Sequence, residues 1–165
     1  MSVYNDSFTI QSDTRPTFDN VTSKVEQSLK KSGIKNGILL VYSQHTTCSV
    51  FVQEASDDKD YYGTDFLMTD LVDVLEKIAP RCRTQNQYHH PGPMHIKAAE
   101  GRNEEACWSL NTDAHLRSVI MGRSASIPVI DGKMALGEFG CIYFADFDQV
   151  RARERTVRVE IVGDC

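Results

Sequence analysis

Apolar residues recur along this chain with two periods. Phe8 and Ile10 alternate with polar neighbours over residues 7–11, and Val157, Val159 and Ile161 alternate with Thr156, Arg158 and Glu160 over 156–162. That period of two reads as half-buried strand. Residues 37–42, 49–53 and 142–145 are mostly apolar throughout and read as strands too. Ile127-Pro128-Val129-Ile130 and Lys133-Met134-Ala135-Leu136 flank Asp131-Gly132, a pair suited to a type I′ turn, so a hairpin is expected there.

Helical spacing appears three times. Phe18, Val21, Val25 and Leu29 form one stripe starting at about Phe18, with Thr17 placed to cap it and Lys30-Lys31 then Gly33 to end it. Leu71, Val74, Leu75 and Ile78 share one face over 70–78, with Pro80 as the stop. Asn111 heads a short third helix through His115, Leu116, Val119 and Ile120, ended by Gly122. Periodicity vanishes over 81–110. A loop of that length either binds something or is a flexible insertion. The element order predicts one α+β domain over residues 1–165, a largely antiparallel or mixed β-sheet packed with two or three helices.

Composition narrows the function classes. A net charge of −5 argues against a general nucleic-acid binder. The longest apolar run, residues 38–42, is far too short to cross a bilayer, and the first residues lack the basic and apolar regions of a signal peptide. Five scattered cysteines, never spaced Cys-x-x-Cys, argue against a disulfide framework and a thiolate zinc site and for a reducing cytoplasm.

The polar residues between the strands at 37–42 and 49–53 carry the chemistry. His45, Thr46 and Thr47 stand there, and Glu54 closes the second strand. His90 and His115 follow far along the chain, and three histidines are the number a catalytic zinc needs. Each has a plainer reading: His45 as a turn histidine, His115 as a helix-start residue, Asp70 as an electrostatic aid to a helix N-terminus. The run Arg151-x-Arg153-x-Arg155 is a solvated edge or, more sharply, a phosphate clamp.

His-Thr-Thr-x-Ser-Val-x-x-x-Glu at 45–54, His-Leu-x-Ser-x-x-x-Gly-x-Ser-x-x-Ile-Pro-Val at 115–129, then Gly132 and Leu136-Gly137, resemble the YjbQ family, also called the UPF0047 family. Some members are described as secondary thiamine-phosphate synthases. The resemblance runs from the first helix to Gly163. It implies a homotrimer with a metal or anion site near the histidines. It matches His45, His90 and His115 to family histidines, with His89 and His95 competing for the place of His90. Glu54, Asp57 and Asp70 match family carboxylates, and Arg155 an arginine leading into the last strand. On this basis His45, His90 and His115 are expected to hold a divalent metal, zinc first, with Glu54 and Asp70 as catalytic carboxylates. Thr46, Thr47, Ser118 and Arg155 are expected to bind substrate or anion.

The implied function is a metal-dependent enzyme acting on a small phosphorylated metabolite, with thiamine-phosphate synthesis as a named side activity. The alternative is a non-catalytic trimeric metal- or ligand-binding protein. Where members continue Leu-Gly with Thr-Trp-Gln, this chain has Glu138-Phe139-Gly140, and Glu138 is expected to disfavour a phosphate in that place.

Overall fold

The computed structural model describes residues 1–165 and contains two antiparallel sheets. Five strands make the larger one, in the order β1 (Ser2–Gln11), β8 (Glu154–Asp164), β3 (Asn36–Ser43), β5 (Ser124–Ile130) and β6 (Lys133–Met134). The smaller has β7 (Gly140–Asp146) between β2 (Thr17–Asn20) and β4 (Cys48–Glu54). The α+β class and antiparallel pairing are as expected from the sequence. The helices are α1 (Thr22–Ser32), α2 (Phe66–Ile78), α3 (Pro93–Gly101) and α4 (Thr112–Met121), with a 3-10 turn at Ala106–Ser109.

The main core lies between the sheets and α1. It joins Val25 and Leu29 of α1, Leu39 and Val41 of β3, Val50 of β4, Phe144 of β7, and Val157, Val159 and Ile161 of β8. A second cluster, Leu75, Ala114, Ala145 and Phe147, covers the other face of the small sheet with α2 and α4. Burial on both faces explains why residues 142–147 are almost uninterruptedly apolar.

Three elements differ from the sequence expectation. Residues 17–20 are strand β2, paired to β7 with Phe18 opposite Ala145 and its ring edge-on to Phe147, so α1 starts only at Thr22. Phe18 happens to fall on the helical spacing of Val21, Val25 and Leu29. Thr17 therefore caps nothing. The N-cap position falls on Val21, and Asn20 just before it holds the first helical residue, its Oδ1 accepting from the Thr22 N–H (3.2 Å) and hydroxyl (2.6 Å). Second, α2 begins at Phe66, so Asp70 lies one turn inside it. Third, the region read as loop contains α3 and the 3-10 turn. Only Ala99 of α3 is buried, so it has no apolar stripe to betray it.

α4 is locked to the end of α2 by a fully buried arginine. Arg117 Nε and Nη2 donate to the Ala79 carbonyl, and Nη2 pairs with Glu76. No helix is long and apolar enough to cross a membrane.

Candidate functional site

One end of both sheets carries the site. Residues 44–47 link β3 of the large sheet to β4 of the small one, and residues 147–153 link β7 back to β8. A pocket of about 360 Å³ opens between these links, the start of α4 and the segment 93–109. Its wall is strongly polar and includes His45, His95, His115, Trp108 and four arginines, Arg102, Arg151, Arg153 and Arg155.

Two buried carboxylates organise the floor. Asp146, at the end of β7, accepts from Thr47 Oγ1 (3.1 Å), Arg155 Nε (2.6 Å) and the Asp148 N–H (3.0 Å). Arg155 also donates through Nη2 to Thr47 Oγ1 (3.1 Å). Asp148 pairs with Arg153 (2.9 Å) and accepts from Asn111 Nδ2 (3.3 Å). Both aspartates are wholly buried, where a charge persists only with partners of this kind.

The histidines divide into two environments. His45 Nε2 accepts the Thr156 N–H at 2.9 Å, so the ring's proton sits on Nδ1. Burial, and then the charge of Arg155, holds its pKa below the usual imidazole value. His90, His95 and His115 form a cluster: the His90 ring centroid lies 4.4 Å from that of His95 and 5.9 Å from that of His115. Thr112 Oγ1 fixes the segment by donating to the His90 carbonyl (2.6 Å). His115 donates from Nδ1 to the Thr46 carbonyl (3.2 Å), which leaves Nε2 as its free lone pair. His90 Nε2 is buried and has no hydrogen-bond partner. Burial depresses the pKa of both His90 and His115, with neighbouring histidine charge adding at His90, so both favour the neutral, ligating form. The side chains do not stand at coordinating separation in this arrangement.

The expected residues are thus only partly united. His90 meets both His115 and His95, and His89 is exposed, while His45 lines the same pocket as His95 and His115 with its Nε2 occupied by the Thr156 N–H. Thr46, Thr47 and Arg155 line the pocket. Ser118 does not: it is fully buried in α4 and donates to the Cys48 carbonyl (2.6 Å). Glu54 and Glu138 belong to the other end of the small sheet. Cys48 pairs with Asp146 at the site, and Glu54 pairs with Gly140 six residues on, about 20 Å away at strand rise. Asp70 is exposed on α2, and Asp57 lines a separate cavity with Asp19 and Asp65. Glu138 is exposed and therefore imposes no repulsion on an anion in the histidine pocket.

Sequence reasoning missed Asp146 and Asp148, whose spacing mirrors Arg153 and Arg155, and it missed Trp108 and Arg102. The two aspartates had a signal: charged residues inside an apolar strand end need partners. Trp108 and Arg102 had none, because they lie in the segment without periodicity.

The UPF0047 protein YjbQ-like family model matches residues 6–164. A UPF0047 protein of Methanothermobacter thermautotrophicus is 32% identical over 163 residues, spanning 99% of this chain and 94% of that relative. Bacillus subtilis UPF0047 protein YugU is 26% identical, over 93% of this chain and 96% of its own. Among solved structures, a YbjQ-like protein of unknown function from Sulfolobus solfataricus superposes with a TM-score of 0.74 at 26% identity, covering 99% of both chains. A hypothetical protein from Aeropyrum pernix gives 0.72 at 32% identity, over 97% of this chain and 98% of that one. With the family's pattern matched along nearly its full length and the fold shared, this chain belongs to the YjbQ-like UPF0047 family.

Proposed function

We propose that this protein is a metal-dependent enzyme acting on a small phosphorylated metabolite. The observation that carries the reading is the buried, unpartnered Nε2 of His90, whose ring stands beside those of His95 and His115. A buried ring nitrogen without a partner is costly, and neutral imidazole is a common metal ligand. His90, His115 and His95 would hold the ion, with the exposed His95 adjusting to reach it, and zinc suits an all-imidazole set. The bound ion would supply Lewis acidity toward a carbonyl or phosphoryl oxygen. The chain's own part is to keep His90 and His115 neutral, to fix the His115 tautomer through the Thr46 carbonyl, and to receive the anionic end of the substrate on the arginine wall. Thiamine-phosphate synthesis is the activity that the family resemblance suggests testing first.

Elemental analysis of purified protein tests the metal. About one divalent ion per chain is expected, lost in His90→Ala, His115→Ala and His95→Ala and retained in His45→Ala. Equal content in all four variants would remove the reading.

One observation favours the second reading, a non-catalytic trimeric metal- or ligand-binding protein. Glu54 and Asp70 lie outside the pocket, and the one carboxylate on its wall, Glu104, is paired with Arg102 at 2.9 Å. No free carboxylate base is supplied by the same chain. Metal binding with no turnover across a panel of phosphorylated metabolites would decide for it.

A further inference from the structure

We infer that Arg151 and Arg153, rather than Arg155 and Thr47, form the clamp for the substrate's phosphoryl group. This rests on the reading above only in taking the pocket to be the substrate's. Arg155 and Thr47 are committed to Asp146 and to each other, by Nε to the carboxylate, Nη2 to the hydroxyl, and the hydroxyl to the carboxylate. A phosphate drawing on them would have to break a buried network.

The neighbouring guanidiniums are different. Arg102 pairs with Glu104 and Arg153 with Asp148, but Arg151 forms no ion pair. Instead its Cζ lies 3.8 Å from the centroid of the Trp108 ring, which supports it as a plate without neutralising it. The Nε atoms of both Arg151 and Arg153 are buried and have no acceptor. Two unpartnered N–H donors, on alternate residues of the β7–β8 link that lines the pocket, are of the kind a phosphoryl oxyanion accepts. Four arginines on the wall, set against Asp146, Asp148 and Glu104, leave one positive charge uncompensated, and Arg151 carries it.

Trp108 is the chain's single tryptophan, so its fluorescence reports on Arg151. The test titrates inorganic phosphate and pyrophosphate into the metal-free full chain at constant ionic strength, by calorimetry and by tryptophan emission. Saturable one-to-one binding of at least one of these anions is expected. Arg151→Met, which strands no buried carboxylate, and Arg153→Lys, which keeps a cation for Asp148 but removes the Nε–H, are each expected to weaken it about tenfold or more. Arg15→Met, the same charge lost away from the pocket, is expected to bind as wild type. The idea is overturned by the absence of saturable binding of either anion, or by wild-type affinity in folded Arg151→Met and Arg153→Lys. His90→Ala separates the two readings. Its loss of metal with phosphate binding intact is expected, and phosphate binding that fails in wild type while metal is retained sinks the clamp alone.

Discussion

The Thr156 N–H donates to His45 Nε2 at 2.9 Å, joining the link between the two sheets to the start of β8 across 111 residues. Only a neutral ring accepts that bond. Burial and the Arg155 charge hold the folded-state pKa below the ordinary 6.5, whereas the unfolded chain protonates His45 at that value. The stability that His45 contributes is therefore complete above pH 6.5 and is lost as pH falls below it through the folded-state pKa. Metal-free protein should melt at progressively lower temperature as pH falls from about 6.5 to 5, and His45→Gln should show a shallower decline. Parallel curves of Tm against pH for the two proteins would refute this role.

Arg117 should be among the residues whose loss destabilises most. Its removal leaves the Ala79 carbonyl without its donor and Asp113, 3.8 Å away and almost fully buried, without its cation. Breaking such a buried pair costs about 3–5 kcal/mol, and because Glu76 is partly exposed and retains water, the lower end is expected. Urea unfolding of Arg117→Ala measures it. A change below about 1 kcal/mol would show that the α2–α4 lock is unimportant.

Gly37 and Gly163 face each other where β3 crosses β8. A Cβ at Gly37 would run into the backbone of Val162 and Gly163, and one at Gly163 into the Asn36 carbonyl. Neither neighbour is a side chain that can swing away. Gly37→Ala should destabilise by about 1–3 kcal/mol, the usual range for overpacking. Gly101→Ala, which meets nothing within 4 Å, serves as the control. Equal denaturation midpoints for the two variants would count against this crossing being as tight as described.

The two helices joined by Arg117 each turn apolar residues to solvent: Leu67, Val74 and Ile78 on α2, and Leu116, Val119 and Ile120 on α4. Val119 is 79% exposed. We expect the homotrimer implied by the family resemblance to cover these stripes, since apolar helix faces of this kind gain most from burial against another copy. Light scattering should report three times the 18.6 kDa chain mass, and Val119→Asp with Val74→Asp should lower it. A monomer at micromolar concentration, or an unchanged mass in the double variant, would exclude this interface.

Much of the scaffold could be read from periodicity, since local chemistry and final environment agree there. β8 buries Val157, Val159 and Ile161 on one face as its alternation requires, and Asp131 and Gly132 both adopt positive φ in the expected hairpin. Phe18 misled because tertiary pairing with β7 overrode a spacing that also suited a helix. α3 was hidden because its support is a site wall rather than a core. The histidines illustrate a different limit. Histidine-rich chemistry was recognisable, but which ring nitrogens are already occupied was not: His45 Nε2 is taken by one backbone N–H at Thr156, a group every non-proline residue carries. Similarly, Ser118 matches a pattern by identity while its hydroxyl serves the Cys48 carbonyl.

Residues 93–109 pair with no strand of either sheet, yet they bring His95, Arg102 and Trp108 to the pocket. The wall opposite sits on or directly beside the sheets and α4: Arg155 in β8, His115 in α4, and Thr47 and Arg153 in the links that join the strands. Part of the recognition surface is thereby written on a stretch of chain that the sheets do not use. The segment is an exchangeable cassette, which insertion, deletion or grafting can rewrite without shifting the register of a single strand, and divergence in substrate within this architecture should concentrate there before it touches the sheets.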